Sequence, residues 1–179
     1  MRRRLTRDES REATRQAIMD AAERLFIERG YRGASLDGIS DSAGFSKGAV
    51  YSNFSSKGDL FLALLDRRAA AEERAMASGS AQIGGDEGFG WPLATLDFFV
   101  DAVRDERLKD ALAQRYRQAR ASAGAGIAAG RTRQAWASWE EIATIAMALG
   151  SGLIIQSATD PDSVAPDLFG RAMERLMGD

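Results

Sequence analysis

Two runs too short to fold alone, Leu36 to Ser42 and Ser46 to Asn53, are separated only by Ala43-Gly44-Phe45, and this spacing constrains the chain most. A three-residue, glycine-containing connection fits a sharp turn between two short helices and little else. Such helices bury too little surface to hold themselves, so Leu36, Ile39, Val50 and Phe54 must close against another element. The preceding segment supplies one. From about Arg11 to Arg29, Ile18, Ala21, Ala22, Leu25 and Phe26 recur at steps of three and four, which predicts an amphipathic helix. Ser10 is its expected N-cap, Glu12 suits the positive end of its dipole, and Gly30 is its expected left-handed stop. Together the three segments predict an N-terminal three-helix unit containing a helix-turn-helix.

In the third helix Val50 and Phe54 face inward, which leaves Lys47, Gly48, Tyr51 and Ser52 on an outward face that a DNA major groove can take. Gly48 stands where alanine would be more stable by up to ~1 kcal/mol, and its missing side chain permits close backbone approach to a duplex. Contact with another helix is the alternative use. Ser56 is expected to cap a fourth helix that opens on Lys57, where the dipole disfavours a cation by ~0.3 to 1 kcal/mol. A bound phosphate reverses that sign, and a solvated surface charge is the plainer reading.

The overall charge of −2 argues against nucleic acid only if it is spread evenly. Residues 1–57 carry eleven Lys and Arg against eight Asp and Glu, whereas residues 58–179 carry thirteen against eighteen. Arg2, Arg3, Arg4 and Arg7 can form an arm near phosphates or a solubilising tail. With no cysteine and no histidine, disulfide scaffolds, most zinc sites and His or Cys catalysis are excluded, so no cofactor or metal is implied. The carboxylates fall on polar helix faces without a catalytic constellation, which argues against an enzyme. No apolar run is expected to approach the ~20 residues of a membrane span, and no signal-peptide pattern follows the N-terminal arginines. A cytoplasmic protein is expected.

Residues 14–65 resemble the N-terminal domain of the tetracycline-repressor (TetR) family of transcriptional regulators. The likeness rests on AAERLFIERGY in helix one, the block SLDGISDSAGFSKGAVYSNF, and SKGDLF opening helix four. It implies an all-α homodimer, with a helix-turn-helix DNA-binding domain at 1–57 and a larger helical ligand-binding and dimerisation domain at 58–179, helix four bridging the two. It further implies a regulator, in most cases a repressor, that binds a pseudo-palindromic double-stranded operator and is released by a small-molecule inducer. Ser35, Ser46, Lys47, Gly48, Ala49, Tyr51, Asn53 and Lys57 are the DNA-contacting positions it suggests, with Lys57 on a phosphate. Ala49 replaces a frequent threonine and Asn53 a frequent histidine; Ala49 can touch a thymine methyl but donates no hydrogen bond. Gly38 and Ser40 place the stability of helix two in doubt. A ligand-binding or interaction protein that no longer reads DNA is the alternative.

Beyond the head, Leu60, Phe61, Leu64 and Leu65 predict a buried stripe on helix four up to about Met76. Residues 78–90 contain five glycines and read as a loop. Further helices are expected at about Pro92 to Arg104 and from Glu106 towards Ala129, weakened by Gly124 and Gly126; GRTRQAWAS then reads as a connection. A long apolar helix follows from Trp139 to about Ser157, with Ile142, Ala146, Leu149 and Leu153 on one side. Pro166 is expected to open a last helix carrying Leu168, Phe169, Ala172, Met173 and Leu176. These two helices exceed what one subunit needs, and the resemblance implies pairing in a four-helix bundle through Ala143, Gly150, Ile154, Phe169 and Met173. An intrachain core is the alternative. Trp91, Phe98, Phe99, Tyr116 and Met147 are apolar whether they line a pocket or fill a core. A pocket would take an apolar or aromatic inducer, with Arg120 or Gln114 as polar partners.

Overall fold

A computed structural model describes residues 6–77, 88–129 and 136–177. Among them the chain is all-α: α1 (Arg7–Gly33), α2 (Leu36–Ala43), α3 (Lys47–Asn53), α4 (Lys57–Ala77), α5 (Gly90–Ala102), α6 (Glu106–Ala128), α7 (Trp139–Thr159) and α8 (Leu168–Met177). Arg2, Arg3 and Arg4 of the expected arm, most of the 78–90 loop and most of the GRTRQAWAS connection lie outside the described residues. The chain divides into two compact units, residues 1–109 and 110–179.

In the first unit, α1 begins a turn earlier than the apolar spacing alone indicates. Thr6 is the N-cap: its hydroxyl accepts from the Glu9 amide at 3.2 Å while the Glu9 carboxylate accepts from the Thr6 amide at 2.7 Å. This reciprocal box satisfies two orphan donors, whereas the expected cap Ser10 is already inside the helix, its amide bonded to the Thr6 carbonyl. Arg7, assigned above to the arm, is the first residue of α1. Gly30 interrupts the helix at φ 70°, ψ 170°, and one further turn runs to Gly33. α2 is capped by Ser35 and ends at Gly44 in the left-handed region, where the Phe45 amide reaches back 3.1 Å to the Ser40 carbonyl. α3 is capped by Ser46 and ends at Phe54.

Ile18, Ala21, Ala22, Leu25 and Phe26 are buried, as are Ile39, Val50 and Phe54 from the two short helices. Leu36 is only half-buried. Ser40 is buried without penalty, since its hydroxyl donates to the Asp37 carbonyl at 2.7 Å. On α4 the buried set is Leu60, Phe61, Leu62 and Leu64, with Leu65 half-buried, so the stripe is rotated from the expected one.

α1 makes its most extensive contacts with α5. Gly90, where α5 starts, permits this approach: a Cβ there would lie 2.7 Å from the Ile27 carbonyl oxygen. The seam is filled by rings. Phe61 stacks on Phe98 (centroids 4.5 Å apart) and on Trp91 (4.9 Å), while Tyr31 packs edge-on against Phe61 and Phe98 at 5.2 and 5.1 Å. Phe26 completes the cluster against Tyr31 and Phe61. α4 is tied to α1 by Arg67, paired with Asp20 and Glu23, and by Arg68, which pairs with Glu23 and lies 4.4 Å over the Trp91 ring. The first turn of α6 docks on that of α4: Arg107 pairs with Asp59 at 2.6 Å, and a Cβ on Gly58 would lie 2.8 Å from Leu108.

In the second unit α7 opens on a capping box between Ser138 and Glu141. The Glu141 carboxyl is held below its usual range by hydrogen bonds from the Ser138 amide and hydroxyl. Only Ile142 and Ala143 are buried on α7, and none of α8 is. α7 packs along α8, where a Cβ on Gly150 would meet Phe169 at 3.6 Å. Pro166 falls in a turn before α8, which starts at Leu168. By length and composition α7 is long and apolar enough to cross a membrane, which corrects the expectation that no run approaches that length.

Candidate nucleic-acid interface

The short helices α2 and α3 are set by their own end chemistry. Ser35 accepts from the Gly38 amide at 3.1 Å and Ser46 from the Ala49 amide at 3.2 Å. A hydroxyl that accepts in this way keeps its proton for a further acceptor, so both caps can still donate to an oxyanion. With Val50 buried beneath, Lys47, Gly48, Tyr51 and Ser52 are exposed together on the outer side of α3, Tyr51 at 54%. A Cβ on Gly48 would find only the Ser46 hydroxyl, at 3.9 Å. Packing within the chain therefore does not demand glycine there. Ala49 is half-buried, and Asn53 turns its amide nitrogen back to the Ala49 carbonyl at 2.8 Å.

Two lysines expected near DNA have partners within the chain. The Lys47 amine lies 2.6 Å from the Asp37 carboxylate, whose hydrogen bond and charge raise the lysine above its ordinary range. Both side chains are more than half exposed, and exposed pairs of this kind are weak and screened by salt. Lys57 differs. Its amine donates to the carbonyls of Tyr31 at 2.8 Å and Ala34 at 3.0 Å and sits 4.3 Å over the Tyr31 ring. Burial pushes it below the usual lysine range, although Asp101 and Asp97 oppose this. The side chain assigned above to a phosphate clasps the α1–α2 connection in this structure. That connection is also tied to α5 by Arg32, paired with Asp101 at 2.8 Å.

One residue that sequence reasoning missed lies beside α3. The Arg15 guanidinium donates to the Asn53 carbonyl at 3.1 Å and lies 4.3 Å from the centroid of the Phe54 ring. The only sequence hint is indirect: α3 has no basic residue in its last turn. With Asp8, Arg11, Glu12 and Asn53, Arg15 lines a surface cleft of about 350 Å³.

The aromatic residues considered for a ligand pocket are divided between the two units. Trp91 and Phe98 belong to the ring cluster of the first unit, and Phe99 on the same helix is 42% exposed. Tyr116 and Met147, both half-buried, belong to the second unit. Of the residues expected at a subunit interface, Ala143 is fully buried within the chain and so presents no surface to a mate. Gly150, Phe169 and Met173 are half-buried and Ile154 is exposed.

Residues 18–64 match the family model described as bacterial regulatory proteins, tetR family. The chain is 47% identical over 64 residues to the transcriptional activator FasR of Mycolicibacterium smegmatis, covering 36% of this chain and 27% of that protein. It is 45% identical over 56 residues to the transcriptional repressor AcnR of Corynebacterium diphtheriae, covering 31% and 30%. These matches span between a quarter and a third of the relatives' length. The fold is matched along nearly the whole chain. A TetR-family regulator from Cytophaga hutchinsonii superposes with a TM-score of 0.72 at 17% identity, covering 98% of this chain and 96% of that one. A protein from Saccharomonospora viridis solved in complex with choline gives 0.67 at 20% identity, covering 92% and 95%. The caps, turn and buried positions of the first three helices lie largely within the matched segment, so residues 18–64 are similar to the head of the tetR family of bacterial regulatory proteins, and beyond them the likeness is one of fold.

Proposed function

We propose that the chain is a DNA-binding transcriptional regulator whose α3 enters the major groove, with Lys47, Gly48 and Tyr51 facing the duplex and the Ser35 and Ser46 hydroxyls donating to phosphates. The observation that carries this reading is the outer side of α3, exposed as a block over the buried Val50, with an unfilled space at Gly48. Lys47 meets the duplex by exchanging Asp37 for DNA. Because that ion pair is exposed, the exchange costs little.

The regulator acts as a homodimer on a pseudo-palindromic operator. A second copy covers the apolar side chains that α7 and α8 leave accessible, Ile154, Phe169 and Met173 among them. This accounts for an apolar α7 with little of its surface buried inside one chain. One relative of the head is named an activator and another a repressor, so the head alone does not choose. Repression is the simpler outcome, because a bound dimer blocks polymerase by occupancy. Release by a small organic ligand completes the proposal and is supported by the choline-bound neighbour. Coupling of that kind is typically ~1 to 3 kcal/mol.

A gel shift against the intergenic DNA upstream of the protein's own gene, run over a salt series, tests this. A saturable complex whose affinity falls steeply with salt is expected, with two chains per site. Equal, weak binding to all sequences would reject the regulator and favour an interaction protein built on the same fold.

A further inference from the structure

We propose that Arg15 is a positioning residue that sets the tilt of α3, so that sequence discrimination depends on a side chain that reads no base. This rests on the proposal that α3 enters the groove. α3 is seven residues long, and the Phe54 amide closes only the Val50 carbonyl at 2.9 Å, so a short helix of this kind needs outside donors for its final carbonyls. A cation at that end would satisfy them and oppose the negative pole of the dipole, but α3 carries none of its own. α1 supplies it from outside: Arg15 donates to the Asn53 carbonyl at 3.1 Å and stacks 4.3 Å from the ring of Phe54, the buried C-cap. The Asn53 side chain donates instead to the Ala49 carbonyl, at 2.8 Å. The anchor is stiff, since Ile18, Met19 and Ala22, on the turns following Arg15, are fixed in the core. Lysine could reach the carbonyl, but it lacks the planar group that bonds and stacks at once.

The test uses the full chain, with R15K and R15M compared with wild type and with K47A on the upstream duplex and on a scrambled one. For both Arg15 variants, the ratio of specific to scrambled affinity should fall about tenfold, the order of one charge-assisted hydrogen bond, with the salt slope unchanged. K47A should lower the slope by about one. If the Arg15 variants lower the slope instead and weaken both duplexes equally, Arg15 is a phosphate contact and the proposal is overturned. Amide hydrogen exchange in the free protein decides independently of DNA. Exchange should quicken over residues 50–54 in both variants and stay unchanged over residues 18–26; unchanged exchange over 50–54 overturns the positioning role. A wild type that forms no specific complex would instead reject the proposed function, leaving exchange to decide whether Arg15 holds α3.

Discussion

Replacing Lys57 by methionine keeps most of the side-chain volume and removes the amine that closes the α1–α2 connection. In the folded chain that amine serves the carbonyls of Tyr31 and Ala34, both residues buried, at 2.8 and 3.0 Å. Each buried acceptor left without a donor costs about 1 to 3 kcal/mol, so the two together cost about 2 to 6 kcal/mol before any compensation. Part of this is returned, because burial already disfavours the charged amine, so a net loss of about 2 to 3 kcal/mol is expected for K57M. At about 2 to 4 °C per kcal/mol for a chain of this size, the melting temperature should fall by about 4 to 12 °C. Thermal unfolding followed by circular dichroism measures this without DNA. Melting within about 1 °C of wild type would mean that water replaces the amine freely, and the clasp would be discarded as a source of stability. The same variant has a pH signature. With Lys57 depressed below 10.5 in the folded state, the unfolded chain holds that proton more tightly, so this group makes stability rise as pH climbs towards 10.5. K57M should lack that rise.

Tyr31 works in the opposite sense. Burial first, then Asp101, Asp105 and Asp59, push its phenol from 10.0 up to about 12, so the folded state keeps a proton that the unfolded chain loses. Stability should fall between pH 10 and 12, and denaturant midpoints for Tyr31→Phe should lose that alkaline limb. Gly124 and Gly126, two residues apart in α6, should respond with opposite signs to alanine. At Gly126 nothing lies within 4 Å, so the substitution should stabilise by about 0.5 to 1 kcal/mol through helix propensity. At Gly124 the new methyl would sit 3.1 to 3.2 Å from the backbone of Trp139 and Glu140, and urea midpoints should drop.

The parts of the fold that were legible in the sequence are those set by local periodicity or by a turn. Ile18, Ala21, Ala22, Leu25 and Phe26 are buried as their spacing indicates, and Gly44 ends α2 in the left-handed region, whereas Gly30 takes a positive φ that breaks α1 without ending it. The start of α1 was present too, as Thr6 three residues before Glu9, but Ser10 lay nearer the first apolar residue and drew the boundary inward. Ser138 and Glu141 carry the same signature at α7. Contacts made across elements left no such trace. Lys57 looked like a cation at the wrong end of a helix because its partners, two carbonyls 23 and 26 residues earlier, have no side-chain identity to read. Arg15 reads as one more polar position on α1 until α3 is laid against it. Trp91 stacks on Phe61, a pairing that composition alone cannot distinguish from a cavity wall.

The ring cluster formed by Phe26, Tyr31, Phe61, Trp91 and Phe98 bears on how chains with this head can be recombined. The segment matched to the family head ends at residue 64, after Phe61 but before Trp91 and Phe98. A chimaera spliced at that point would carry three rings of one protein into a socket shaped for another's. The splice would fall within a single packed cluster, however well the two sequences aligned on either side. A workable junction for transplanting this N-terminal head onto a foreign C-terminal part lies beyond Ala102, where α5 has already delivered its rings to α1 and α4.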